Sequence, residues 1–294
     1  MINKVINRIR AVRDTSKGRS ETRTVLQALS LNEDVITREL VEVFKSMLDR
    51  YNWTENEALL LKGVDRIRSG YLASRETVEL MDHGAGNSNS ERTEKEMHTG
   101  VLKTVNVSDV CRTASTQTVW GELIFRIIRR FKPLSILELG TCLGVSGAYQ
   151  VSALSLNGKG VFNTLEGSDE LARLADRNLR TINYQSYNVH VGRFSDILPT
   201  VLPGVPPIDF AFIDGHHDKV ATQNYYDQIY PFLSKRAILI FDDINWSTGM
   251  DEFWTQICKN GIGIKVSFDL GKWGVCVIDK DHVGAEKRVH RITL

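Results

Sequence analysis

Apolar positions along the chain change their rhythm near Pro133. Before it they recur every three or four residues, and after it short apolar runs alternate with helical stripes. Ile2, Val5, Ile6, Ile9 and Val12, with Lys4, Arg8, Arg10 and Arg13 between them, predict a short basic amphipathic helix. Residues 14 to 23, with Gly18 and Ser20, read as a polar break. Val35, Ile36, Leu40, Val43, Phe44, Met47 and Leu48 predict a second helix over residues 34 to 51. A third opens at Thr54 and Glu57, a capping box in which each side chain satisfies a backbone donor, and runs through Leu59, Leu60, Val64 and Ile67 to about residue 71. Residues 107 to 131 predict two more helices, the second carrying Val119, Leu123, Ile124, Ile127, Ile128 and Phe131 on one face and stopped by Lys132-Pro133.

Beyond Pro133 the pattern predicts strands at 136 to 140, 161 to 166, 188 to 191, 208 to 213 and 237 to 241. Helices fall between or after them at 145 to 156, 169 to 181, 221 to 233 and 250 to 259. Such alternation is the mark of an α/β protein with a doubly wound, Rossmann-like sheet. The final strand-like runs, 262 to 268 and 273 to 278, are separated only by Asp269-Leu270-Gly271-Lys272. Parallel neighbours need a crossover of a dozen or more residues, so these two are expected to form a terminal antiparallel hairpin. Three regions result: a helical cap or oligomerisation region at 1 to 80, a connecting segment at 81 to 106, and the sheet domain at 107 to 294. Residues 82 to 90, polar and glycine-bearing, suit either a flexible linker or a lid over a ligand.

Composition narrows the class. At 294 residues the chain holds one large α/β domain with an appendage, and 42% hydrophobic with 25% charged residues is ordinary for a globular protein. A net charge of +1 disfavours nucleic acid as a partner. Cys111, Cys142, Cys258 and Cys276 form no CxxC pair, which points away from zinc and disulfides and towards a reducing cytoplasm. No apolar run approaches a membrane span, and the basic first helix is a candidate homodimer element.

Candidate chemistry centres on Ile136 to Gly147, ILELGTCLGVSG, an apolar strand running into a glycine loop and a helix start. Glycines there let a ligand lie against bare backbone. A dinucleotide fingerprint needs glycine where Cys142 stands, and Glu138 would repel a phosphate but suits an ammonium. S-adenosylmethionine, with an ammonium, a sulfonium and no phosphate, fits better than NAD. Glu138 with Gly140, Thr141, Gly144 and Ser146 is expected to hold its methionine part. Glu166, followed by Gly167 at the end of the next strand, is placed to accept ribose hydroxyls, and Arg193 and Phe194 after the third strand are placed to frame the adenine.

Asp214, in Phe212-Ile213-Asp214-Gly215-His216-His217, ends a buried strand where ligands bind in open α/β sheets, and Asp242 and Asp243 end its neighbour. Three converging acids repel one another unless a cation or a substrate ammonium joins them, and oxygen ligands suit a hard divalent ion such as magnesium. His216, with His217 in reserve, is the candidate for taking a proton from a nucleophile beside Asp214.

With ELGTCLGVSG, TLEG, FIDGHH and FDDINWS in this order, the chain resembles class I S-adenosylmethionine-dependent methyltransferases. More narrowly, it is similar to the bacterial small-molecule O-methyltransferases with methyltransferase domain 24. The resemblance runs from about residue 55 to 291 and includes a loop, Asp82-His83-Gly84-Ala85-Gly86-Asn87, and a Trp273-Gly274 hairpin. It implies a methyltransferase acting on a small molecule, with Asp214, Asp242 and Asp243 aligned with the metal ligands of magnesium-dependent relatives. Histidines replace the lysine that follows the first Asp in the catechol type, and Asn87 stands where serine is usual. The same cofactor chemistry allows an alternative, a cyclase or lyase that releases methylthioadenosine.

Overall fold

The computed structural model describes residues 17–31, 34–49, 52–82, 86–87, 90–91, 93, 99–282 and 288–294. The expected basic helix over residues 2 to 12 lies outside them. Residues 17–31 (α1) are helical, so the polar break predicted at 14 to 23 is corrected from residue 17 onward. Tertiary packing explains why: Gly18 fits against Thr293, the Thr22 hydroxyl accepts from the Thr293 N–H at 2.8 Å, and Leu26 is fully buried.

Helices α2 (Val35–Leu48) and α3 (Glu55–Leu72) follow as expected, α2 capped by Asp34 and α3 by the reciprocal Thr54–Glu57 box. Leu40 and Phe44 of α2 are fully buried, Phe44 edge-on to Phe268 at 5.0 Å. Each such side chain stabilises the fold by roughly 1.5–3 kcal/mol. Leu26, Leu40, Phe44 and Val64 of these helices are thus buried within this chain, while Leu31, Val35 and Leu59 stay exposed.

The connecting segment contains an unanticipated strand pair. Strand β1 (Thr77–Asp82) runs antiparallel to β4 (Val101–Asn106), with the short pair β2 (Gly86–Asn87) and β3 (Ser90–Glu91) between them. Helices α4 (Val107–Thr113) and α5 (Thr118–Phe131) lead into the main sheet.

That sheet comprises β5 (Ser135–Leu139), β6 (Val161–Glu166), β7 (Tyr187–Val191), β8 (Ile208–Ile213), β9 (Leu233–Phe241), β10 (Ile264–Asp269), β11 (Gly274–Asp279) and β12 (Arg288–Arg291). Its order is β12-β10-β11-β9-β8-β5-β6-β7. Strands β9 to β7 in that order are parallel, and β10 and β11 form the antiparallel hairpin, β11 pairing with β9. Strand β12, parallel to β10, was not anticipated.

Helices α6 (Val145–Asn157), α7 (Asp169–Leu179), α8 (Phe194–Val201), α9 (Lys219–Ile229) and α10 (Thr248–Asn260) cover the two faces. Strand alternation divides the core between them. Ile136, Phe210, Phe212, Ile238 and Ile240 point to the side of α2, α3, α5, α6 and α7. Leu137, Leu139, Ala211, Ile213, Leu239 and Phe241 point to the side of α8, α9 and α10. This is the period of a sheet buried on both faces. Among the described residues no helix is long and apolar enough to cross a membrane.

Candidate active site

The chain leaves β5 for β6 and β7 on one side, then returns to place β8 and β9 on the other. Ligands of doubly wound sheets bind in the crevice at such a reversal, outside the carboxyl ends of the strands. Here the ends are tied together: the Gly140 N–H donates to Leu165 O at 3.0 Å and the Asp214 N–H to Leu139 O at 2.9 Å. Gly140 has φ 99°, and a Cβ on it would lie 1.7 Å from Asp214 O, so no other residue fits this approach of two strands.

A cavity of about 420 Å³ opens there, within the usual ~300–1,000 Å³ of small-molecule sites. Gly140, Cys142, Glu166, Gly167, Arg193 and Phe194 line one half. Asp214, His216, His217, Asp242, Asp243, Trp246 and Lys272 line the other, and Leu80, Met81, Thr113 and Ala114 complete the wall. Among the described residues before 107, those that reach the cavity, Leu80 and Met81, belong to β1 and not to the N-terminal helices.

Glu166 is almost fully buried, its Oε2 accepting from the Cys142 N–H at 2.7 Å and its Oε1 from the Ser168 N–H at 3.0 Å. It thereby fixes both the glycine loop and the start of α7. Arg193 is held to Asp196 at 2.9 Å. Glu138, Thr141, Gly144 and Ser146 are not among the cavity-lining residues. Glu138 is fully buried on the α6 side, where Gln150 Nε2 donates to Oε1 at 2.6 Å and Thr164 Oγ1 to Oε2 at 2.7 Å. Burial pushes its pKa up to about 7, against the lowering effect of hydrogen bonds from Thr164, Ser146 and Gln150.

The three aspartates do converge. Burial, then the charge of Asp242, raises the pKa of Asp214 well above the usual carboxylate range, and the same two causes raise that of Asp243. The cation that relieves them is one the sequence reading missed. Lys272 Nζ lies 2.9 Å and 3.0 Å from the two oxygens of Asp242 and 3.4 Å from Asp243 Oδ1. Burial works against its ammonium, but the attraction of Asp242 and Asp243 outweighs it and raises the lysine pKa. A signal was present: a hairpin added antiparallel beside β9 must bring its turn to the carboxyl edge, and Lys272 is the basic residue of that turn.

The histidines divide. His217 Nε2 lies 3.6 Å from Asp214 Oδ1 and 3.9 Å from Asp243 Oδ2, its ring near Trp246. The His216 Nδ1 instead meets the Tyr225 hydroxyl at 2.8 Å. Both take positive φ, 66° at His216 and 49° at His217.

Ligand atoms of Asp214, His217 and Asp242 lie within 4.8 Å of one another, a spacing that a divalent ion could bridge; Asp243 is outside that group. The Lys272 ammonium, however, already faces both oxygens of Asp242. The ammonium hydrogen-bonds Oδ2 only, and the buried Oδ1 has no hydrogen-bond partner, but a dication on Oδ1 would stand directly beside that positive charge, which disfavours it.

Residues 137–244 match the model of a family described as a methyltransferase domain, which bears out the resemblance seen in the motifs over that stretch. No curated protein matches the chain. Among solved structures, the SAH-bound methyltransferase PaMTH1 from Podospora anserina is similar with a TM-score of 0.53 at 14% identity, covering 85% of this chain and 98% of its own. Cofactor-bound Rv0187 from MTB gives 0.50 at 19%, covering 58% and 84%. The O-methyltransferase TomG from Streptomyces achromogenes, involved in tomaymycin synthesis and in complex with SAM, gives 0.49 at 21%, covering 56% and 82%. The first two share the fold described above.

Proposed function

Taking the methyltransferase domain of residues 137–244 as the premise, we propose that the chain moves a methyl group from S-adenosylmethionine to an oxygen of a small molecule. One observation carries this: Gly140, Glu166 and Asp214, from three adjacent strand ends, meet in a single cavity where the sheet reverses. The PaMTH1 structure of the same fold is SAH-bound, in keeping with that ligand.

When bound, S-adenosylmethionine supplies a sulfonium-held methyl that an oxygen can displace. Gly140 and Gly167 line its side of the cavity without side chains. Each Glu166 oxygen already takes one backbone N–H and, having a second lone pair, can also accept a ribose hydroxyl. Arg193 and Phe194 close the adenine side. On the acceptor side His217 Nε2, with Asp214 and Asp243 beside it, takes the hydroxyl proton. His217 is chosen over His216 because Tyr225 engages the latter. Leu80, Met81 and Trp246 exclude water and suit an acceptor with an apolar body.

The test is calorimetric titration of the purified protein with S-adenosylmethionine, together with mass spectrometry of cofactor-derived products. Binding, with S-adenosylhomocysteine formed only when a small-molecule extract is added, is the expected outcome. Methylthioadenosine released without an acceptor would replace methyl transfer by cyclase or lyase chemistry.

A further inference from the structure

We propose that Lys272 is the resident counter-cation of the acceptor-side carboxylates and occupies the place of a divalent ion, so that this site works without a metal. The backbone that carries it is anchored in the wall. The Ile244 N–H donates to Lys272 O at 3.0 Å, locking the β10–β11 turn onto the loop that carries Asp242 and Asp243. The Gly271 N–H donates to Asp269 Oδ1 at 2.8 Å, and the neighbouring Trp273 is 1% exposed, stacked near Trp120 and Phe212. From this anchored backbone the ammonium reaches both oxygens of Asp242 and one of Asp243.

Among the described residues, the other lysine or arginine of the cavity wall, Arg193, is held by Asp196 on the cofactor side. Compensation of the aspartates therefore falls to Lys272. A dication drawn to Asp214, His217 and Asp242 would sit against the ammonium 2.9 Å from Asp242 Oδ1, and repulsion between the two cations sets the occupants against each other. Lys272 is accordingly a positioning residue: it holds Asp242 and Asp243 against mutual repulsion and so keeps the surroundings of His217 in place.

The decisive experiment is Mn²⁺ titration of metal-stripped full-length protein, followed by electron paramagnetic resonance. It compares wild type with Lys272→Met, Lys272→Arg and Asp242→Asn, and S-adenosylmethionine binding is measured on each sample. Wild type and Lys272→Arg are expected to show no saturable binding below about 1 mM, whereas Lys272→Met, which frees the carboxylates, binds at least roughly tenfold more tightly. Retention of the metal-free state by the arginine variant separates charge from mere packing.

Micromolar Mn²⁺ binding by wild type, lost in Asp242→Asn, would overturn the proposal. So would a folded Lys272→Met protein that gains no Mn²⁺ affinity. Should Lys272→Met fail to fold, the wild-type and Asp242→Asn titrations still decide. The proposal rests on the methyl-transfer reading only for its kinetic consequence, that EDTA leaves S-adenosylhomocysteine formation over an extract unchanged. Failure of S-adenosylmethionine to bind any sample would sink methyl transfer while leaving the Mn²⁺ outcome to judge Lys272.

Discussion

On the β5–β6 half of the sheet's carboxyl edge, buried carboxylates are satisfied by uncharged groups. Glu166 takes two backbone N–H donors, and Glu138 takes Gln150 and Thr164. On the β8–β9 half, Asp214, Asp242 and Asp243 crowd one another beside Lys272 and His217. Neutral donors can hold a carboxylate still, but they leave nothing mobile to exchange with a substrate. Charged and titratable neighbours can move a proton. On the proposed methyl-transfer reading, the contrast assigns cofactor binding to one half and chemistry to the other.

The largest expected effect tests that division directly. His217 has φ 49°, which asparagine tolerates better than most residues, so His217→Asn keeps the loop while removing the imidazole. Turnover should fall by about 10²–10⁴-fold with the S-adenosylmethionine Kd within about twofold of wild type. Parallel loss of turnover and cofactor affinity would merge the two halves into one.

Glu138 probes whether the binding half is as uncharged as its partners imply. Its pKa stands near 7 in the folded protein against an ordinary 4.5. The folded state therefore holds the proton more tightly, and this stabilisation is complete below about 4.5 and lost as pH rises through about 7. The whole contribution is about 3 kcal/mol. Urea unfolding at pH 4.5 and pH 8 should show wild type losing about that much more stability than Glu138→Gln over the interval. Parallel behaviour of the two proteins would mean that Glu138 is an ordinary anion and the contrast between the halves is false.

The halves also differ in how far they could be read from residue order. In the binding half partners are near in sequence or in the next element: Glu166 with Cys142 and Ser168, and Glu138 with Gln150. The strand runs of β5, β6, β8 and β9 were legible for a related reason, since each is an apolar, largely buried run followed by its own helix. The chemical half depends on Lys272, brought beside Asp242 only by the pairing of β11 with β9. Leu80 and Met81 reach the wall through the β1–β4 pairing across residues 77 to 106, which leaves no local periodicity. Helix α8, with Pro199 inside it, and β12, dependent on β10, escaped notice because their supports are tertiary.

A smaller effect is expected at Glu166. Glu166→Gln keeps the shape but removes the charge and turns one acceptor into a donor facing a backbone N–H, either that of Cys142 or that of Ser168. Losing charge-assisted hydrogen bonds of this kind costs about 1.5–3 kcal/mol, so the S-adenosylmethionine Kd should rise by roughly 10–100-fold in calorimetry. Turnover at saturating cofactor should change much less. A collapse of saturated turnover with unchanged affinity would move Glu166 to the chemical half.

His216 supplies the finest test, because it sits next to His217 in sequence and lines the same cavity, yet turns to Tyr225. Its φ of 66° again allows asparagine, so His216→Asn preserves the turn on which His217 depends. The Tyr225 hydroxyl, whose pKa burial pushes up strongly, stays protonated and can donate to the asparagine carbonyl. With the proton acceptor in place and the Glu166 contacts untouched, turnover should fall by less than about tenfold, against the general acid–base contribution of about 10²–10⁴ expected at His217. Steady-state S-adenosylhomocysteine formation by the two variants over one extract measures the difference. If His216→Asn proves the more damaging, the imidazole that takes the proton is the one held by Tyr225, and the chemical half extends across β8 towards α9.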